Sequence, residues 1–511
     1  MQRLVHHFLE SSCLRCPEKA AVFSGSLTAS YGRVNALSNR LAHLLAENGL
    51  RKGDRVLLVM ENSIECVAAY YATLKAGGVC VEIHDRSTPA EASYYINNSG
   101  SRVCILSGQA AKRLDGLDIP VAISPDGSCR PSCGACVPWS VLDDMPEHDP
   151  GIPVDEHDLA AIVYTSGSTG KPKGVMLTHA NLCTNTQAIV SYLGLTGDDR
   201  VMVVLPFYYV YGKTLLNTHF MVGGSLVINN RFAFPNGVVK EMADKEVTGF
   251  AGVPSTFALL MNRSIFARTR IPTLRYVTQA GGAMAPALTR RLIDHLGDTP
   301  LFIMYGATEA SARLTYLPPD RLVKDKLGSI GIPIPGVEIA IRDEHGTGLG
   351  PYEVGNICAT GPNIMQGYWQ DPEETARTLK TWGLVTGDIG HRDDEGFIFL
   401  TGRKKEMLKI GGERVSPKEI EDAIIESGMV HEAAVVGRPD EMLSEVPVAY
   451  IVPMDDRSFD REALARYICE RLSSHKNPRE WFIRKALPKK PSGKIDKEAL
   501  KNELLHEMCS A

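Results

Sequence analysis

Residues 164–179 read YTSGSTGKPKGVMLTH, a run dense in glycine, serine, threonine and lysine. Successive small residues let backbone N–H groups converge on an anion, and the hydroxyls add further donors. A Walker loop needs GxxxxGK followed by Ser or Thr, because that hydroxyl helps to hold Mg2+. Here Pro172 follows Lys171, and no glycine stands five residues before Gly170. The P-loop reading fails. A triphosphate held by another grip remains, with Thr165, Ser166, Gly167, Ser168, Thr169 and Gly170 as the cradle and Lys173 as an added charge. Taken alone, such a loop also fits a solvated turn.

Outward from this loop the chain is regular. Residues 30–160 alternate helical patterns with short apolar strands such as DRVLLVM and VCVEI. A second series starts near residue 200 with RVMVVLP, GSLVIN, GFAGVP, LRYVTQAGG and LFIMYGATE. Strands alternating with helices of this length predict βαβ units and parallel-type sheets covered on both faces. From Gly328 short strands and Gly/Pro turns predict a small β-barrel-like layer. After TGRKKEML a compact tail mixes strand and helix patterns, so the expected class is α/β with a small α+β unit at the C-terminus. The charged, glycine-containing stretch 402–412 is the candidate hinge.

A chain of 511 residues exceeds what one hydrophobic core usually serves. The net charge of −5 gives no reason to expect nucleic acid or an acidic membrane as partner. No h-region of a secretory signal and no bilayer-length apolar run is present, so a cytoplasmic protein is expected. The twelve cysteines are then read as free thiols. Cys129, Cys133 and Cys136 have a spacing like an iron–sulfur signature, but they lie in a Pro/Gly/Ser-rich stretch with no fixed fourth ligand. A surface loop is the favoured reading, and Cys13 and Cys16 are placed in an amphipathic helix without metal.

Four distant segments bear on the loop. YGATE (305–309) follows the apolar LFIM, at a strand end where open α/β sheets bind ligands. Glu309 suits Mg2+ there, and Tyr305 offers a flat face to a purine. TGDIG puts Asp388 at a turn, where a carboxylate can accept both hydroxyls of a ribose. Arg403 in TGRKKEML can reach ribose or phosphate, and PSGKIDK carries Lys494 near the C-terminus.

In this order the segments resemble the adenylate-forming superfamily of acyl- and aryl-CoA synthetases, luciferase and peptide-synthetase adenylation domains. The resemblance covers nearly the whole chain. It implies that YTSGSTGKPKGV is the phosphate loop and that QAGGAM, with Gly281 and Gly282, is the adenine-side strand. YGATE, including Gly306 and Thr308, is similar to the magnesium and nucleotide motif, with Thr308 and Glu309 counted with the catalytic residues. Lys494 is implied to be the catalytic lysine, Lys405 the hinge, and Gly411 and Gly412 the thiol side. A large domain, 1–402, and a small mobile one, 403–511, are implied. The chemistry implied is attack of a carboxylate on the α-phosphorus of ATP, then transfer of the acyl group to a thiol.

The segment LPFYYVYGKT (205–214) aligns with the family's acid-pocket motif. Tyr209 stands where many CoA synthetases carry histidine. Val210 stands where amino-acid-activating domains carry aspartate, which argues against an ordinary α-amino acid. Tyr208, Tyr209 and Tyr211 form either an aromatic wall or core packing, and Lys213 is a candidate to pair a second anionic group on the acid. Gly212, Ala283 and Met284 complete the expected pocket. For the acceptor, KIGGERVSPKEIE and HKNPREWFI are similar to CoA ligases, and IDKEAL to peptide-synthetase domains. The expected substrates are a small carboxylic acid, ATP with Mg2+, and CoA. The alternative acceptors are the phosphopantetheine of an acyl or peptidyl carrier protein, or an amine. A luciferase-like oxygenase is a weaker alternative, and a non-catalytic nucleotide sensor is disfavoured because Glu309, Asp388 and Lys494 are all present.

Overall fold

The computed structural model describes residues 3–125, 127, 134–165, 172–410, 413–440, 442–454, 459–490 and 494–510. It is a mixed α/β structure with a large N-terminal sheet domain and a small C-terminal domain. Short runs rich in Val, Ile and Leu form strands buried on both faces, as parallel sheets require. Five strands of the first sheet run parallel in the spatial order Val79–Glu82, Arg55–Val59, Val103–Leu106, Val121–Ser124, Ala135–Pro138. On the open side of Val79–Glu82 lies the parallel strand Leu159–Thr165, then Lys173–Thr178 antiparallel to it, and last the two-residue strand Gly367–Tyr368.

The second sheet has a parallel core in the order Ala20–Ser24, Ser225–Ile228, Arg200–Val203, Gly249–Gly252, Tyr276–Gln279, Leu301–Tyr305. It then turns antiparallel at Thr315–Leu317 and continues through Ser329–Pro333 into the strands Ile398–Arg403, Gly383–Arg392, Gly355–Thr360 and Glu338–Arg342. The layer expected after Gly328 is therefore an antiparallel extension hydrogen-bonded to the second sheet. It carries a small core of its own around Ile341, Ile357 and Ile398.

Helices Ile64–Lys75, His179–Leu193 and Val210–Val222 belong to one hydrophobic cluster that joins Val56 and Leu177 of the first sheet to Val201 and Leu226 of the second. Burial on every side explains why Ile64–Lys75 shows little polar face, and Tyr71 stacks on Phe220 with ring centroids 5.4 Å apart. Each such large apolar side chain stabilises the fold by about 1.5–3 kcal/mol on leaving water. The helix His179–Leu193 starts directly after the opening motif. Its capping box pairs the Thr178 hydroxyl with the Asn181 N–H and the Asn181 side chain with the Thr178 N–H, satisfying two orphan donors.

The C-terminal domain is built on a separate sheet. Val430–Asp440 and Ser444–Pro453 form an antiparallel pair, and on the far side of the latter lie Glu480–Ile483, parallel to it, and Leu408–Ile410, antiparallel to it and followed by Glu413–Val415. Helices Pro417–Glu426 and Arg461–Cys469 cover one face, and Lys497–Ser510 lies over the other. No helix among the described residues is long and apolar enough to cross a membrane. Cys129 and Cys133 lie outside the described residues, and the Cys136 thiol donates to the Gly127 carbonyl at 3.2 Å.

Candidate active site

The strands Gly383–Arg392 and Ile398–Arg403 place Asp388 opposite Arg403 in register. Arg403 Nε donates to Asp388 Oδ1 at 3.1 Å, and the Tyr305 hydroxyl donates to Asp388 Oδ2 at 2.6 Å. Asp388 is buried and Arg403 half-exposed. Burial, then the Asp388 charge, push the Tyr305 phenol well above its ordinary pKa, so it stays a neutral donor. Burial opposes the Arg403 charge, but Asp388, Glu406, Tyr305 and Glu309 outweigh it and raise the Arg403 pKa. Each carboxylate oxygen has two acceptor sites. With one bond on each, Asp388 keeps one acceptor site per oxygen, which suits a vicinal diol. The flat purine-facing role expected of Tyr305 is joined by a different one, orienting Asp388.

Glu309 lies in the single turn Thr308–Ala310 that follows the strand Leu301–Tyr305. Its Oε1 accepts from the Tyr368 hydroxyl at 2.7 Å, and its carbonyl accepts from Met365 N–H at 2.9 Å. Gly306 is required by packing: a Cβ there would stand 1.9 Å from the Ala312 carbonyl oxygen. The turn folds back so tightly that Ser311 and Ala312 adopt φ of 55° and 107°, and such strain clusters at functional sites.

Residues 166–171 of the opening motif, and with them Ser166, Gly167, Ser168, Thr169 and Gly170, lie outside the described residues. Thr165 and Lys173 flank them as register partners of an antiparallel pair. Lys173 is ion-paired with Glu374 and stands 5.5 Å from the centre of the Tyr368 ring. The charge expected to add to the phosphate cradle is thus engaged by Glu374 in this structure. Gly411 and Gly412 also lie outside the described residues.

Lys494 presents an exposed side chain within electrostatic reach of Arg403, Asp388, Glu406 and Glu309. Burial of its surroundings, then the Arg403 charge, lower its pKa, while the three carboxylates act the other way. Lys405 is lowered by the same two causes in the same order. Behind them Lys497 ties Glu421 at 2.7 Å and Glu406 at 3.5 Å, which links the last helix to the stretch holding Lys405.

A narrow, nearly filled cavity lies between the two large sheets. Tyr208 and Lys213 line it, and Ser311 connects its wall to the Glu309 turn. The remaining expected pocket residues do not line it. A Cβ on Gly212 would stand 2.0 Å from the Pro206 carbonyl oxygen, so this glycine serves the helix start. Tyr211 is core, its hydroxyl on Thr278, and Met284 packs against a different hydrophobic cluster. Gly281, Gly282 and Ala283 are exposed on the neighbouring turn, and the Tyr209 ring lies tilted against that of Tyr208, with centroids 4.4 Å apart. Sequence reasoning missed the opposite wall, Tyr70, Cys80 and Glu82, which comes from the first sheet and its helix. Lys213 Nζ pairs with Glu82 Oε1 at 2.8 Å, so the free cation expected for a second anion is compensated within the protein.

A strand-end acidic turn, a carboxylate clamped by Tyr305 and Arg403, and a lysine from near the C-terminus therefore share one neighbourhood. The model of the AMP-binding enzyme matches residues 9–369, and that of the AMP-binding enzyme C-terminal domain matches 419–494. A long-chain-fatty-acid–CoA ligase of Bacillus subtilis (strain 168) is 31% identical over 99% of this chain and 94% of its own. A feruloyl-CoA synthase of an Amycolatopsis species is 32% identical over 94% of both. Among solved structures, ATP-bound MatB from Rhodopseudomonas palustris aligns at a TM-score of 0.87 and 29% identity, over 98% of this chain and 99% of that one. The chain belongs to the AMP-binding enzyme family, as an ATP-dependent, AMP-forming ligase of the acyl/aryl-CoA class.

Proposed function

We propose that the protein joins a small carboxylic acid to CoA in two half-reactions at the site formed by Tyr305, Asp388, Arg403, Glu309 and Lys494. In the first, an oxygen of the acid's carboxylate attacks the α-phosphorus of ATP and the pyrophosphate oxygen leaves, giving acyl-AMP. In the second, the CoA sulfur attacks the acyl carbon as its proton is lost, the carbon–oxygen bond breaks and AMP leaves. The observation that carries this reading is the clamp on Asp388, with Lys494 in reach of it.

Asp388 holds the ribose hydroxyls and fixes the α-phosphate relative to the acid, since phosphoryl chemistry of this kind depends on positioning and charge. Lys494 stabilises charge gathering on the attacking carboxylate and α-phosphoryl oxygens. Glu309 has a hard oxygen donor for Mg2+, which binds through one or two carboxylates plus phosphates and water. When bound, that ion supplies charge neutralisation on the phosphates. A division at residues 402/403, with Lys405 as hinge, lets the small domain withdraw Lys494 and admit the thiol. The test is pyrophosphate release from Mg-ATP over a panel of acids, with and without CoA. Multiple turnovers only with CoA support the reading. A single equivalent unmoved by CoA transfers the acyl group to a carrier protein or amine instead.

A further inference from the structure

The large and small domains touch away from the hinge as well as at it. At the hinge the Ser416 hydroxyl donates to the Thr401 carbonyl at 2.6 Å, and Lys404 is ion-paired with Glu344. Away from it Asn262 meets His431, 169 residues further along the chain, with Asn262 Nδ2 3.2 Å from His431 Nδ1. Asn262 lies near the end of the helix Pro254–Arg263, and His431 near the start of the strand Val430–Asp440. Arg291, on the helix Pro286–Leu296, donates through Nη2 to Asn262 Oδ1 at 2.9 Å. That helix packs in turn on Pro417–Glu426 of the small domain. Chemistry fixes the direction of this chain. A guanidinium only donates, so Arg291 takes the amide oxygen and turns the amide nitrogen toward His431. The amide nitrogen also only donates, so His431 Nδ1 accepts, and it does so only as a neutral ring with its proton on Nε2.

We propose that the chain Arg291–Asn262–His431 latches the small domain in the arrangement that brings Lys494 to Asp388, and that a proton on His431 opens the latch. The proposal rests on the ligase reading and its two half-reactions. A protonated His431 has donors at both ring nitrogens and no acceptor for the Asn262 N–H. It also places a charge opposite Arg263 and Arg291 across the seam, with Lys489 on its own side. Glu432 favours that charge, but Lys489 engages its carboxylate at 2.5 Å. Burial first, then Arg263, Lys489 and Arg291, hold the His431 pKa below its ordinary 6.5 against Glu432. The closed latch is therefore fully favoured above about pH 6.5 and loses its advantage as pH falls below that value. These are positioning residues: they act on the reaction through the place of Lys494.

On the ligase reading each half-reaction runs from its own arrangement, so the ratio of the two rates follows the ratio of the two populations, whatever their starting balance. The experiment measures single-turnover adenylation, from Mg-ATP and the best acid of the panel, and single-turnover thioester formation, from the supplied adenylate of that acid and CoA. Above pH 6.5, Asn262→Leu is expected to lower the adenylation-to-thioester ratio by roughly 2- to 10-fold, the range of one hydrogen bond. In the parent the ratio should fall by a similar factor as pH is lowered through the His431 pKa. His431→Asn offers Oδ1 in place of Nδ1 and does not titrate, so it should keep the high ratio and lose the acid step. A purely structural role would slow both half-reactions together, and an unchanged ratio in folded Asn262→Leu overturns the proposal. An acid step that persists in His431→Asn overturns it too. Arg291 is exposed, so Arg291→Leu gives the same comparison should Asn262→Leu fail to fold. Failure of every acid to release pyrophosphate overturns the ligase reading itself.

Discussion

Tyr305 and Asp388 stand 83 residues apart in the chain, yet the Tyr305 hydroxyl donates to Asp388 Oδ2 at 2.6 Å. The bond ties the last strand of the parallel core to the antiparallel extension, so the nucleotide side is braced by both parts of one sheet. Tyr305→Phe removes that brace and keeps the ring. A rise of about 10-fold in the KM for ATP is expected, with about 10- to 100-fold for Asp388→Asn, which also weakens the pair with Arg403. Steady-state kinetics in ATP measures both, and an unchanged KM in Asp388→Asn would remove the diol-binding assignment.

Lys494→Ala should lower adenylation by roughly 10²–10³, the usual cost of one well-placed donor to developing negative charge. The side chain is exposed, so the variant should fold as the parent does. Supplied acyl-AMP should still be consumed by CoA in that variant. Pyrophosphate release at the parent's rate would be the contrary result.

The same lysine sets an alkaline limit. The desolvating crowd of protein around this exposed side chain, and then Arg403, lower its pKa below the usual 10.5. The protonated form carries the charge, so adenylation is at full strength below the lowered pKa and falls as pH rises through it. Lys494→Arg retains its charge at all these pH values. A single-turnover pH profile should therefore lose its alkaline limb in the arginine variant, whatever its absolute rate, and coincident profiles would assign the limb elsewhere.

At Gly306 the added methyl of alanine meets a backbone carbonyl, which moves only with the turn. Gly306→Ala is expected to destabilise the protein by about 1–3 kcal/mol, the usual range for overpacking, and to displace Glu309. Thermal melting and the Mg2+ dependence of pyrophosphate release report the two effects separately.

Two buried histidines give the fold an acid limit. Burial holds His179 and His219 at a pKa of about 4, against an ordinary 6.5. His219 Nδ1 donates to the Leu215 carbonyl and Nε2 accepts from Tyr276, while His179 Nδ1 accepts from Val5 N–H. The neutral rings are therefore the folded form, and the unfolded chain binds more protons between the two pKa values. Stability from this source is complete above about pH 6.5 and is lost as pH falls toward 4, by a few kcal/mol for the pair. Melting temperatures across that window should fall less steeply in His219→Gln than in the parent.

Much of the nucleotide side was legible because its residues follow strands directly. LFIM runs into YGATE, and Asp388 and Arg403 each sit within a short motif, so local pattern and chemistry coincide. The cavity between the sheets was legible on one wall only. Lys213 and Glu82 are 131 residues apart and meet because one sheet packs over the other, a relation that no periodicity encodes. The glycines carry a second requirement that sequence does not display: Gly212 and Gly306 each make room for a carbonyl that folds back on them. Lys173 reads from sequence as an added charge at the loop, and its pairing with Glu374, far along the chain, is a tertiary relation.

The cavity draws one wall from the strand Val79–Glu82 and the helix Ile64–Lys75, elements that carry none of Tyr305, Glu309, Asp388, Arg403 and Lys494. For protein engineering this separates two design problems. Libraries confined to Tyr70, Cys80 and Glu82 alter one wall of this cavity and leave Tyr305, Glu309, Asp388, Arg403 and Lys494 as inherited. Such a scaffold suits the stepwise evolution of catalysts for new thioesters, one wall at a time.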